Sequence, residues 1–426
     1  MTNSASDSLL PVALKEQMDE SMRLLLCAAL VFAPAVAGQK ARLVLREYGV
    51  LFDPQSQGYR ANAATAAMLD RQLYLVFTGA IEDDEAGTLP FLVRSMDVGK
   101  SWTKPERFGA EILNGLVKSP ADEFVSLALF GPTKEQTLIS VGYHVARGVR
   151  KETYRKDVRW RPSAALIGRR PKGGATYAYR EYPSGTFLGE QFAAGGIICR
   201  SGRVMLQIWG ARRREENWQA GVLISDDDAR TWRYRQTAYE PDPAIRDDPK
   251  MPAGFNEQTL FETKEGRIVS IIRGREKLGR LRESPKDTWY FRVVSDDRGE
   301  TWSHPERTNL AGTGAPATGL TLPDGSFLNV SRLPYSRTLY PLPEKDLFGL
   351  HVVRSFDSGR TWQTEWIKQR DPDGKPFDNY YNAMNGQFLQ TGPREWIYLF
   401  GQFSVKTNVH RILMLRFALE PDFSQL

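Results

Sequence analysis

The sequence predicts an all-β fold, a six-bladed β-propeller whose ring is closed by its N-terminal strand, and three observations lead there. The stretch "SFDSGRTW" (355 to 362) has near-copies in "SMDVGKSW" (95 to 102), "SDDDARTW" (225 to 232) and "SDDRGETW" (295 to 302). Successive copies lie 130, 70 and 60 residues apart, a period of about 65 with one copy lost near position 160, and a fixed period means repeated structure. Each copy follows a short apolar or β-branched run, such as "PFLVR" before Ser95 and "AGVLI" before Ser225, so it sits on the turn leaving a strand. Ten Trp, sixteen Tyr and thirty-six Gly in 426 residues suit a turn-rich all-β chain with a full core.

Taken in order, the chain opens on "MRLLLCAALVFAPAVAG" (22 to 38), with a basic start, a fourteen-residue apolar stretch and Ala35-Val36-Ala37 as a small-residue cleavage site. That is the pattern of a secretory signal peptide. Residues 1–37 are therefore set aside, with Met22 as the expected natural start and a secreted or periplasmic destination; residues 41–426 read as a single propeller domain. The strand "ARLVLREY" (41 to 48) is expected to join the last blade. From about residue 60 to 420 the chain divides into six units, each able to supply four short strands, and radial closure hides their sheet edges.

Within each copy the Asp (97, 227, 297, 357) is expected to accept backbone N–H groups two residues on, and Gly (99, 299, 359) to supply a positive φ. Ala229 replaces the Gly in the second copy, so that turn is expected to be strained or differently shaped. Trp102, Trp232, Trp302 and Trp362 anchor the strand that follows. A residue that recurs in every repeat serves the repeat, so a functional site is to be sought between the copies. The proline-rich patches 240–252 and 332–346 read as long loops within blades, where sites are built.

Removing residues 1–37 takes away two basic and four acidic residues and moves the formal charge from +6 to +8. A basic exported chain suits anionic partners, although charge alone does not separate acidic glycans from nucleic acid. The richest basic stretch, 144–162, falls where the missing copy is expected. With Cys27 inside the leader, the mature chain keeps only Cys199 and no internal disulfide. Four scattered histidines without HExxH or paired-Cys spacing argue against a metal-dependent hydrolase, and no Gly-x-Ser-x-Gly elbow is present. After residue 40 no apolar run approaches the length of a membrane span.

Leader, period and boxes together resemble the exo-α-sialidase (neuraminidase) family, whose propellers carry the S-x-D-x-G-x-T-W "Asp box". In that family an early Arg precedes an Asp by about two dozen residues; "YRAN" gives Arg60 and "EDDEAG" gives Asp84, twenty-four residues on, with Asp83 and Glu85 as rivals. Ala61-Asn62 replaces the family's Ile-Pro. A mid-chain Glu and Arg sixteen residues apart match Glu257 and Arg273 in "NEQTLFETKEGRIVSIIRGRE", with Lys264-Glu265-Gly266 as the hairpin between them. The late Tyr matches Tyr381, twenty-six residues past Ser355, with Tyr380 as the rival. For the third Arg the candidates are Arg337 and Arg332, since Arg354 adjoins the box and is expected to face away.

The resemblance implies retaining hydrolysis of terminal sialic acid or a related 2-keto acid sugar, without a cofactor. Three arginines (60, 273, 337) would bind the sugar carboxylate, because a guanidinium pairs bidentately with it and stays charged. Tyr381 would be the nucleophile, Glu257 its base and Asp84 the acid/base. The implied partner is a sialylated glycan or another acidic sugar, not nucleic acid. A related-fold hydrolase or lyase on another acidic sugar and a non-catalytic glycan-binding propeller are the alternatives.

Overall fold

The structure is a computed structural model that describes residues 41–80, 89–108, 125–145, 163–182, 188–191, 195–211, 218–239, 254–275, 289–311, 319–333, 348–377, 386–404 and 409–421. Residues Leu43–Glu420 form one compact unit; of the other, Met1–Arg42 with Pro421–Leu426, only three residues are described.

β1 (Arg42–Phe52) leaves the N-terminus. Blade 1 then follows as β2 (Arg60–Leu69), β3 (Gln72–Ala80), β4 (Leu89–Ser95) and β5 (Glu106–Arg107), and blade 2 as β6 (Val125–Phe130), β7 (Leu138–Val145), β8 (Ser163–Arg170) and β9 (Ala178–Tyr182). In blade 3, β10 (Leu188–Gln191) and β11 (Gly196–Ile198) share one edge of β12 (Val204–Ala211), followed by β13 (Gln219–Ser225) and β14 (Arg233–Ala238). Blade 4 holds β15 (Gly254–Glu262), β16 (Ile268–Arg275), β17 (Trp289–Ser295) and β18 (Glu306–Ala311); blade 5 holds β19 (Leu320–Thr321), β20 (Phe327–Leu333), β21 (Gly349–Ser355) and β22 (Gln363–Lys368). Blade 6 holds β23 (Gln387–Gly392), β24 (Glu395–Ser404) and β25 (Val409–Glu420), with β1 as its fourth strand. Ring closure by the N-terminal strand is as the sequence predicts.

Each expected turn leaves the third strand of its blade, and the box Ser is that strand's last residue in β4, β13, β17 and β21. The buried hydroxyl of Ser95 donates to Asp97 Oδ1 at 2.7 Å and accepts the Gly99 N–H at 2.7 Å; Asp97 accepts the Ser101 N–H at 2.8 Å and its hydroxyl at 2.6 Å. The other three copies repeat this pattern. The carboxylate thus serves the N–H four residues on, not two, and the Ser fills the nearer role. Ala229 holds the turn in the same shape, at φ +63°, a left-handed backbone that costs an L-residue about 1–2 kcal/mol.

Between blades lie apolar clusters, and the box Trp wedges four of the joins: Trp102 lies against Leu51 and Phe52 of β1, Trp232 against Phe130 and Ile139 of blade 2. A second device recurs. The residue before the box's Gly or Ala also has positive φ, and in three boxes its carbonyl is taken by the preceding blade. Arg169 Nε donates to Asp228 O at 2.6 Å, Arg203 Nη1 to Arg298 O at 2.7 Å, and Arg292 Nε to Ser358 O at 2.7 Å.

Two blades lack a box for different reasons. In blade 6 the third strand, β25, ends the domain and the fourth is β1, so no covalent turn joins them. In blade 2 the corresponding turn is 171–177, after β8, which moves the lost copy from about 160 to about 170. There Tyr177 packs on Phe108 of blade 1, ring centroids 5.2 Å apart, where a Trp stands elsewhere. The basic stretch instead falls between β7 and β8, with 146–162 outside the described residues. Likewise 240–252 joins blade 3 to blade 4 rather than looping within a blade.

Burial would raise Asp227 and Asp297, but the hydrogen bonds of the box outweigh it and hold both at about 2; the Ser101 hydroxyl and N–H hold Asp97 there too. A carboxylate depressed in the folded state stabilises the fold above its unfolded pKa of about 3.9, and that contribution is lost as pH falls through the folded value. Urea midpoints should therefore fall between about pH 4 and pH 2. Asp227→Asn should lower the midpoint at pH 7 and flatten the acid limb; an unchanged limb would show that the boxes do not set it.

Candidate active site

Because every blade repeats one strand order, the start of each first strand, the end of each second strand and the second-to-third connection share one end of the ring. The boxes share the other. Arg60 opens β2, Glu257 lies near the start of β15, and Arg273 near the end of β16. In chain order Asp84 falls between β3 and β4, Arg337 between β20 and β21, and Tyr381 between β22 and β23. Asp84, Arg337 and Tyr381, with the rivals Asp83, Glu85 and Tyr380, lie outside the described residues. Arg60 and Arg332 are placed as strand positions only.

The described part of this end is built on a bulge. β15 and β16 pair Phe255 with Gly274 and Gln258 with Ile272, so Asn256 and Glu257 together face the single residue Arg273. Such a two-against-one bulge re-aims side chains. Glu257 Oε2 lies 2.7 Å from Arg273 Nη1, with both side chains about one-fifth exposed. The contact is an ion pair rather than an aligned hydrogen bond: Oε2 is buried and accepts no hydrogen bond among the described residues. Asn256 Oδ1 completes the cluster, accepting Arg273 Nε–H at 3.0 Å and the Glu257 N–H at 2.8 Å. Asn256 was not singled out from sequence; an Asn beside the matched Glu was the only available signal.

The next residue turns the other way. Gln258 is fully buried and ties blade 4 to blade 3, donating to Gly221 O and accepting from Thr237 Oγ1 at 3.2 Å; the Ser270 hydroxyl donates to it at 2.7 Å. Trp218 reaches over from blade 3, its carbonyl accepting Phe255 N–H at 3.0 Å and its ring 4.2 Å from that of Trp209. An aromatic pair therefore stands beside the strand that carries Glu257.

Arg354 is spent elsewhere. It is buried, pairs with Asp324, donates to Ser326 Oγ at 2.8 Å and lies over the Phe356 ring. At the box end of the ring a cavity of about 950 Å³ is lined from all six blades, by Met68, Phe130, Ile198, Leu260, Leu320 and Leu389 among others. Among the described residues no group of three or more His, Cys, Asp or Glu could hold a metal, and no helix is long and apolar enough to cross a membrane.

Comparison with known proteins adds the following. Residues 185–388 match the family model described as "BNR repeat-like domain". No curated protein matches the chain. A crystal structure of a protein of unknown function from Dyadobacter fermentans superposes with a TM-score of 0.64 at 17% identity, over 89% of this chain and 99% of that one. A Hadza microbial sialidase gives 0.59 at 13% identity over 89% and 69%, and Penicillium chrysogenum α-L-arabinanase gives 0.55 at 10% over 88% and 98%. At these identities the likeness is one of fold.

Replacing Gln258 by Leu would strand Gly221 O and the Thr237 and Ser270 hydroxyls in the core. A stability loss of about 2–4 kcal/mol is expected, read by urea unfolding; a loss under about 0.5 kcal/mol would mean that the blade 3–4 join does not depend on it.

Proposed function

We propose that this chain, a BNR-repeat propeller of the sialidase-like kind, is a glycoside hydrolase, and specifically a retaining exo-α-sialidase acting on terminal sialic acid or a related 2-keto acid sugar. The observation that carries the reading is the Glu257–Arg273 ion pair at the start of a first strand, 2.7 Å long with both side chains mostly buried. A carboxylate held by a guanidinium at such a place is suited to take a proton once that guanidinium turns to an anionic sugar.

In this reading the sugar carboxylate lies among Arg60, Arg273 and Arg337. Because that carboxylate adjoins the anomeric carbon, a neutral phenol approaches it without the repulsion that Asp or Glu would meet. Tyr381 attacks the anomeric carbon while Glu257 takes the phenolic proton, since a phenol with an ordinary pKa near 10 is a poor nucleophile at neutral pH. Asp84 protonates the departing glycosidic oxygen. In the second half Asp84 takes a proton from water, water displaces the tyrosyl oxygen with a second inversion, and Glu257 returns the proton to Tyr381. The reaction is retaining overall, and the leader implies that it takes place outside the cytoplasm.

A second reading is a hydrolase for another sugar, favoured by the arabinanase likeness over 98% of that enzyme and by Ala61-Asn62 where the sialidase motif has Ile-Pro. The mature protein should release 4-methylumbelliferone from its α-N-acetylneuraminide, and Tyr381→Phe and Glu257→Ala should each lower kcat by at least about a hundredfold. A folded wild type that ignores this substrate but cleaves an arabinan or uronate substrate would replace the first reading by the second.

A further inference from the structure

The acidic-sugar reading uses Glu257 and Arg273 but gives no task to the residue that touches both. We propose that Asn256 is a positioning residue, which pins the Arg273 guanidinium so that its Nη end faces the ligand carboxylate; the inference rests on that reading. Both hydrogen bonds to Asn256 Oδ1 come from groups that can only donate, Arg273 Nε–H at 3.0 Å and Glu257 N–H at 2.8 Å. The amide orientation is therefore forced by chemistry, not by choice of rotamer.

Three consequences follow for Arg273. Its Nε is occupied, so the side-on edge is closed to a ligand. Its Nη1 meets Glu257 at 2.7 Å, and Nη2 has no partner among the described residues. A carboxylate arriving end-on meets Nη2 and competes with Glu257 for Nη1. Binding the anion and releasing Glu257 Oε2 to accept the phenolic proton then become a single event. The clamp also fixes a long side chain before the ligand arrives, which removes an ordering cost from binding.

The bulge explains why this residue and no other can do so. In an unbroken ladder one residue of β15 would face Arg273; with two facing it, the first supplies the clamp and the second the carboxylate.

The test uses the full mature protein with 15N-labelled arginine and the variants Asn256→Ala and Asn256→Asp. Hydrogen exchange at Arg273 Nε–H should be at least about tenfold faster in Asn256→Ala than in wild type, while Asn256→Asp, which keeps an acceptor, should retain the slow exchange. On 4-methylumbelliferyl α-N-acetylneuraminide, Asn256→Ala should raise KM about tenfold with kcat within about threefold, because the guanidinium contacts the carboxylate in ground and transition states alike. Equal exchange in wild type and Asn256→Ala would overturn the clamp, as would a loss confined to kcat. If the wild type turns over neither this substrate nor a ketodeoxynonulosonate or uronate one, the acidic-sugar reading fails, and the exchange comparison still decides whether Asn256 holds Arg273.

Discussion

The fold depends on one constraint: a blade is apolar on both faces and cannot cover either by itself. In β13 and β21 every residue is buried, so successive side chains point into two different joins. Covering both faces of every blade requires a ring, and a ring requires that the last sheet be completed by the first strand. β1 does this by pairing with β25 and by carrying Leu51 and Phe52 into the cluster between blades 6 and 1. Each such side chain contributes about 1.5–3 kcal/mol when buried. The N-terminal strand is therefore the closure of the molecule and not an appendage to it.

Closure alone leaves the joins free to slide, because apolar packing is not directional. The boxes supply direction. Two consecutive residues with positive φ turn one carbonyl of the box toward the preceding blade, and at three joins an arginine of that blade takes it. The join between blades 3 and 4 adds a network in which Arg203, Arg233 and Arg235 share Glu300 of the third box. Exposed ion pairs are each worth little; their value here is to fix register between sheets that hydrophobic contact has already brought together. The acidic residue of the box is then spent on the turn itself, which is why four recurring carboxylates do not make a site.

How far the sequence announced this differs by feature. The ring was legible because the same eight residues recur and their spacing divides the chain evenly. Blade 2 was misplaced because its wedge is Tyr177, which shares no motif with the box, and the basic segment at the expected position drew attention to the wrong end of the blade. The arginine staples were illegible for another reason: Arg169, Arg203 and Arg292 occupy different strand positions in their blades, so no period links them. At the site, the separation of Glu257 and Arg273 carried the hairpin that brings them together. It could not carry the bulge, since a bulge is a property of two strands in register and leaves no mark on either one alone.

The bulge and the staples also explain where function can sit on this ring. Glu257 keeps its carboxylate beside Arg273 and outside the join, on a strand whose next residue, Gln258, makes three hydrogen bonds in the join. Site and join thus alternate along β15, one residue apart. The box end is committed to holding blades together, through turns on which the box Ser and Asp side chains are spent. The opposite end carries the strand starts, where a charged pair can exchange partners with a ligand without loosening a join. An activity placed there can change its side chains while the ring beneath it stays the same, and a fold does not by itself fix the function that it carries.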